Sequence, residues 1–129
     1  MHFKESAFAL KTNYALMHVE RIGKGVVAMI EMADPTRLDR VGQFRDVDMT
    51  DDLKGVRAQV RSASCVGSNY DVVIEFGQIA SCHCSCPDFG RTGPCKHVLA
   101  VSLQFLDRVA RPTWRALRAR QKLEINWGF

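Results

Sequence analysis

Two periodicities organise the chain. Val56, Ala58 and Val60 alternate with Arg57, Gln59 and Arg61, the period of two that turns one face of a strand to a core and the other to water. Gly67-Ser68-Asn69 supplies a turn, and Val72, Ile74 and Phe76 share one face of an antiparallel partner from Tyr70 to Phe76. Gly77-Gln78 turns the chain again into Ile79 to Cys84, so the pattern predicts a three-stranded meander. Further along, Val98, Val101, Phe105 and Val109 recur at helical spacing, and Leu99, Leu103 and Leu106 widen the apolar face. That breadth predicts a largely buried helix from Cys95 to about Val109, ended by Pro112.

The first thirty residues fit two patterns. Phe3, Ala7, Leu10, Tyr14 and Met17 are spaced like one face of a helix that Gly23 could stop. Tyr14 to Ile22 and Val26 to Met32, separated by Gly23-Lys24-Gly25, would equally make a hairpin; a helix followed by a strand is the preferred reading. Asp34-Pro35 is a clear helix start, an Asp cap followed by Pro in the first turn, and predicts a short helix to about Phe44. Asp46, Asp48, Asp51 and Asp52 then read as a solvated acidic loop, without the ligand spacing and turn glycine of a calcium loop.

A chain of 129 residues has room for one ordinary domain. Its 47% hydrophobic and 25% charged residues exclude wholesale disorder and low-complexity folds. The formal charge of +4 is unevenly placed. Arg108, Arg111, Arg115, Arg118, Arg120 and Lys122 face only Asp107 and Glu124, which puts the whole excess in the C-terminal segment. No run approaches the roughly 18 apolar residues of a membrane span and no signal core is visible, so a cytoplasmic or nucleoid-associated protein without membrane contact is expected.

Four of the five cysteines fall between Cys82 and Cys95, within Cys82-His83-Cys84-Ser85-Cys86-Pro87 and Cys95-Lys96-His97. An odd count so clustered reads poorly as a secreted disulfide framework and well as a metal site in a reducing compartment. The fifth, Cys65, reads as a small residue at a turn. Zinc takes four thiolate or imidazole ligands at tetrahedral corners. Two cysteines one residue apart at a strand end can grip one side of the ion, and Cys95 with His97 at a helix start can close the other. Between them, Pro87, Gly90, Gly93 and Pro94 exclude regular structure, and Phe89 is the one large apolar residue available to pack the loop. An iron–sulfur cluster on Cys82, Cys84, Cys86 and Cys95 is a competing assignment.

Cys84-Ser85-Cys86, eight further residues, then Cys95-Lys96-His97-Val98-Leu99-Ala100 resembles the SWIM zinc finger, whose pattern is CxC, a variable gap and CxHxxA. The resemblance implies one structural zinc held by Cys84, Cys86, Cys95 and His97. It leaves Cys82 as an alternate ligand, because Cys82 also forms a CxC with Cys84 and alternate strand residues share a face. Its order of strands, finger loop and helix agrees with the pattern above, an α+β fold in which a small antiparallel three-stranded sheet leads into a zinc-stapled loop and a buried helix; the mixed N-terminal segment and the basic tail rest on the residue pattern alone. The corresponding division is 1–54 as an N-terminal α/β segment, 55–110 as the SWIM domain with the finger at 82–106, and 111–129 as a basic tail.

Four protein ligands leave zinc no open position for water, so no enzyme is expected. The family implies DNA binding or protein–protein contact, and no helicase, transposase or ligase domain fits in this length. The expected role is a zinc-binding adaptor that contacts nucleic acid, DNA first, and a protein partner. Arg91, Lys96, Arg111, Arg115, Arg118, Arg120 and Lys122, with Trp114 and Trp127 interleaved, would contact phosphates and stack on bases; the tail equally fits a solvated helix with Trp114 and Leu117 docked on the core. The alternative is a purely protein–protein interaction module. Neutralising about five phosphates would give a log–log salt slope of about −4.5 on duplex DNA, where apolar protein contact would barely respond.

Overall fold

The computed structural model describes residues 12–44, 47–52, 54–62, 67–87 and 93–126. Phe3, Ala7, Leu10, Asp46, Cys65, Phe89, Arg91 and Trp127 lie outside these residues. Among the described residues the order is α1 (Thr12–Glu31), α2 (Pro35–Leu38), a 3₁₀ turn (Val41–Gln43), β1 (Asp48–Asp51), β2 (Gly55–Arg61), β3 (Asn69–Glu75), β4 (Ser81–Cys84), α3 (Lys96–Phe105), a π turn (Leu106–Ala110) and α4 (Arg111–Asn126). The class is α+β.

The sheet has four antiparallel strands in the order β1-β2-β3-β4, one more than the meander predicted. The added strand comes from the acidic stretch read as a loop. Met49 pairs with Ala58 and packs half-buried on the core, while Asp48 and Thr50 point out. Carboxylates along an edge strand keep it in water and discourage pairing with another chain. Asp52 makes the hairpin turn: its carboxylate accepts from the amides of Lys54 at 2.7 Å and Gly55 at 3.0 Å. Those two bonds, the Lys54 amide first, hold the Asp52 carboxyl below its ordinary range. Gly55 has no room for a side chain, since a Cβ there would sit 2.0 Å from the Ile74 carbonyl oxygen. In β2 and β3 the predicted alternation holds, with Val56, Ala58, Val60, Val72 and Ile74 buried.

The expected helix-then-strand at the N-terminus is instead one helix, α1, through both glycines. Its buried stripe is Ala15, Leu16, Val19, Ile22, Val26 and Met29; Tyr14 and Met17, read as the inner face, are exposed. Gly25 is the point where α1 crosses the β3–β4 turn. Its carbonyl accepts from the Ala80 amide at 3.0 Å, and a Cβ would lie 2.3 Å from the Gly77 carbonyl oxygen. The Gly-Lys-Gly sequence thus marks a close approach between backbones. At Gly23 a Cβ would meet nothing within 4 Å.

The Asp34-Pro35 start is formed as read, with the Asp34 carboxylate accepting from the Thr36 amide at 2.9 Å. The helix stops at Leu38, short of Phe44, and the tighter turn at Val41–Gln43 delivers Phe44 to the core. Gln104 fixes the path from there into β1, donating to the Phe44 carbonyl at 2.7 Å and accepting from the Val47 amide at 3.1 Å.

Helix α3 packs on β2, β3 and β4, on α2 and the 3₁₀ turn, and on α1. It is therefore buried on nearly every side, from His97 through Phe105, whose ring meets Phe76 at 5.4 Å. Pro112 does not end the helical run. Lacking an N–H for the Arg108 carbonyl, it is accommodated by the wider π turn at Leu106–Ala110, and the chain continues as α4. Thr113 and Leu117 are the buried face of α4, packed with α1. The basic segment to Asn126 is thus a docked helix.

The two α1 glycines give opposed expectations. Gly25→Ala should destabilise the zinc-loaded protein by about 1–3 kcal/mol through the backbone clash. Gly23→Ala should stabilise it by about 0.5–1 kcal/mol by restricting the unfolded chain. Urea unfolding of both variants measures the pair, and a stabilised Gly25→Ala would contradict the crossing.

Candidate metal centre

Strand β4 brings in the first two ligands. Cys84 faces Val72 across the sheet and points to the core. Ser85 continues the pairing by one residue, its amide donating to the Asp71 carbonyl at 3.0 Å and its hydroxyl accepting from the Asp71 amide at 2.9 Å. With Ser85 exposed and held on β3, Cys84 and Cys86 are both turned inward. The second pair comes from the start of α3. Cys95 is its N-cap residue with extended backbone, φ −79° and ψ 170°, and His97 is in the first turn. A helix N-terminus favours thiolate charge beside it.

The donor atoms of Cys84, Cys86, Cys95 and His97 all lie within 4.8 Å of one another, and all four residues are buried. Cys84 Sγ and Cys95 Sγ are each 3.9 Å from His97 Nδ1. Ideal zinc bond lengths place tetrahedral sulfur and nitrogen about 3.5 Å apart and two sulfurs about 3.8 Å apart. The cage is therefore ion-sized and slightly open, and three thiols with one imidazole are a zinc donor set. These four residues are positioned to bind one zinc ion. The Cys84 thiol hydrogen-bonds to Cys95, and that contact holds Cys95 well below the ordinary thiol range, against the cost of burial. The same contact and burial push Cys84 far up. Within the Cys84–Cys95 pair one thiolate is thus favoured and the other opposed, the electrostatic demand a divalent cation answers.

Residues outside the ligand set complete the centre. The His97 ring is flanked by Phe44, centroids 4.9 Å apart, and Tyr70 at 4.7 Å, which fixes its plane. Arg37, only 8% exposed, donates to the carbonyls of Gly93 at 3.0 Å and Pro94 at 3.1 Å, the two residues before Cys95. Gly93 takes φ +80°, a left-handed conformation suited to glycine. A guanidinium thus closes the loop at its far end. Nothing in the sequence marked Arg37, because it acts 58 residues away from Cys95 through a contact between separate elements.

Cys82, the alternate ligand, sits two pairs from Cys84 along β4, opposite Ile74. Its sulfur is outside the four-residue cluster, and burial, with the nearby Cys95 charge, raises its thiol. His83 is on the exposed side of β4. Lys96 rests its ammonium over the Phe44 ring at 5.8 Å, beside the centre.

Residues 70–105 match the family model of the SWIM zinc finger. The match runs from β3 through α3 and contains all four clustered ligands. No curated protein and no solved structure matches the chain. The SWIM segment is thus one part of a larger fold: α1, α2 and β2 pack on it directly, β1 joins through β2 and α4 through α1 and the π turn.

Purified protein should carry about one zinc per chain by elemental analysis. Cys84→Ser, Cys86→Ser and Cys95→Ser should each abolish stoichiometric zinc, while Cys82→Ser stays fully loaded; a loaded Cys86→Ser with an empty Cys82→Ser would reverse the assignment. Arg37→Gln should keep the ligands and lose about tenfold in zinc affinity, the lower end for outer partners of a metal site, read by chelator competition.

Proposed function

We propose that this protein is a non-catalytic zinc-stapled module that binds DNA through α4, in the cytoplasm or nucleoid. The observation that carries this reading is the placement of charge on α4. Arg111, Arg115, Arg118 and Lys122 are spaced 4, 3 and 4 residues apart and all are exposed, a single cationic stripe about 16 Å long at the helical rise. Arg111 is paired with Asp107, and Arg118 lies over the Trp114 ring at 5.7 Å. Arg120 is two residues from Arg118 and so falls on the other side of the helix. Such a stripe suits a run of phosphates, whose contacts fix position and supply affinity without reading sequence.

With every zinc corner filled by protein, the centre's role is to hold β4 to α3, and α3 in turn packs on α1 and leads through the π turn into α4. Among the described residues no helix is long and apolar enough to cross a membrane.

A second surface favours a protein partner. Tyr14, Met32 and Ile79 are each more than half exposed, at 63%, 62% and 55%. Tyr14 lies on the flank of α1 that carries Gly25, Met32 directly follows the helix, and Ile79 belongs to the β3–β4 turn that Gly25 meets. Salt separates the two readings. Four stripe cations should give a log–log slope of about −3.6 on duplex DNA, lowered by about one for each of Arg115→Gln and Lys122→Gln. An affinity indifferent to salt would leave only the protein-contact reading. Charge substitution is the right probe, since removing α4 would also uncover the core that Leu117 covers.

A further inference from the structure

Beside the cationic stripe, α1 and α4 leave an open groove of about 630 Å³. Its floor is apolar, from Val19, Val27, Leu106 and Ala110, and is deepened by Gly23, which has no side chain. Trp114 forms one wall, half-buried, with Arg118 against its ring. Arg111 and Arg115 of the stripe stand on the same rim as Trp114. The opposite rim, from α1, carries Glu20, Lys24 and Glu31, one net negative charge. A cationic rim, an aromatic wall, an apolar floor and an acidic far rim thus lie side by side.

We propose that this groove receives the bases of single-stranded DNA whose phosphates run along the α4 stripe. This inference rests on the reading of α4 as a DNA-binding surface and names the form of DNA. A strand bound on one side by Arg111, Arg115 and Arg118 turns its unpaired bases across Trp114 into the groove, where the indole face stacks on any base. The volume falls within the roughly 300–1,000 Å³ range of sites that enclose small ligands. Glu20 and Glu31 then face neutral base edges, from whose N–H donors, the thymine N3–H among them, they can accept. A duplex fits worse, because its bases are already stacked and its second phosphate backbone would approach those same carboxylates. The sugars, between stripe and groove, then lie against the Trp114 ring, an apolar contact that suits deoxyribose better than a ribose 2′-hydroxyl.

The test uses the zinc-loaded full chain carrying Trp127→Phe, which leaves Trp114 as the single tryptophan of the two in the sequence. Oligothymidylate of about fifteen nucleotides, a duplex of the same length and oligouridylate are titrated at one salt concentration. The expected result is quenching of Trp114 emission by oligothymidylate, with affinity at least about tenfold above the duplex and above oligouridylate. Gly23→Leu fills the groove where a Cβ meets nothing within 4 Å. It should lower oligothymidylate affinity about tenfold, with duplex affinity, salt slope and zinc content unchanged. Duplex bound as tightly as the single strand, or a Gly23→Leu protein with undiminished single-strand affinity, would overturn the groove while leaving the stripe. Tighter binding of oligouridylate would overturn the choice of DNA. Absence of binding to every nucleic acid would overturn the stripe and the groove together.

Discussion

Cys84 and Cys86 arrive on a strand, Cys95 and His97 on a helix, and the loop between them has little apolar surface with which to fix its own path. The joint between β4 and α3 therefore depends on the ion these four residues are positioned to bind. In finger peptides such a site is worth about 10–16 kcal/mol of apparent binding free energy, comparable with the whole net stability of an ordinary domain. The consequences spread outward because α3 is the element shared by the sheet, α1 and the α3–α4 run. A helix buried from His97 to Phe105 cannot shift without moving all of them.

Electrostatics and packing are arranged around that joint in complementary ways. Three thiolates against a divalent ion leave one net negative charge in a buried centre, and Arg37 places a buried cation at the carbonyls just before Cys95. The imidazole that completes the set is clamped between Phe44 and Tyr70, and Phe44 is itself delivered by α2 and the turn after it, with its carbonyl tied to Gln104 of α3. Residues well before the SWIM segment therefore shape the metal centre inside it. The finger is not an independent appendage on this chain.

The same packing gives the proposed DNA surface its rigidity. Four cations on a flexible tail would lose side-chain and backbone freedom on binding, whereas α4 is already held by Thr113 and Leu117 against α1. The formal excess of +4, which the sequence assigns to the segment from Asp107 to Glu124, becomes an ordered stripe with Trp114 and a groove at its side. Buried zinc centre and exposed cationic helix are thus of opposite sign and on different parts of one connected core.

Local chemistry determined a good deal of this. The alternation in β2 and β3, the Asp-Pro helix start, the broad apolar face of α3 and the spacing of the cysteines and His97 are all signals carried by near neighbours, and each appears in the structure. What tertiary structure decided was where local signals were balanced or silent. Gly23-Lys24-Gly25 satisfies a turn and a helix equally until the β3–β4 turn presses against Gly25 and the apolar stripe from Ala15 to Met29 finds a core. An acidic stretch reads as a loop until β2 offers it an edge to pair with, and Pro112 reads as a stop until a π turn absorbs it. The choice of Cys86 over Cys82 is of the same kind. Both share a face with Cys84, and the position of α3, set by contacts far apart in sequence, brings His97 and Cys95 within reach of one and not the other.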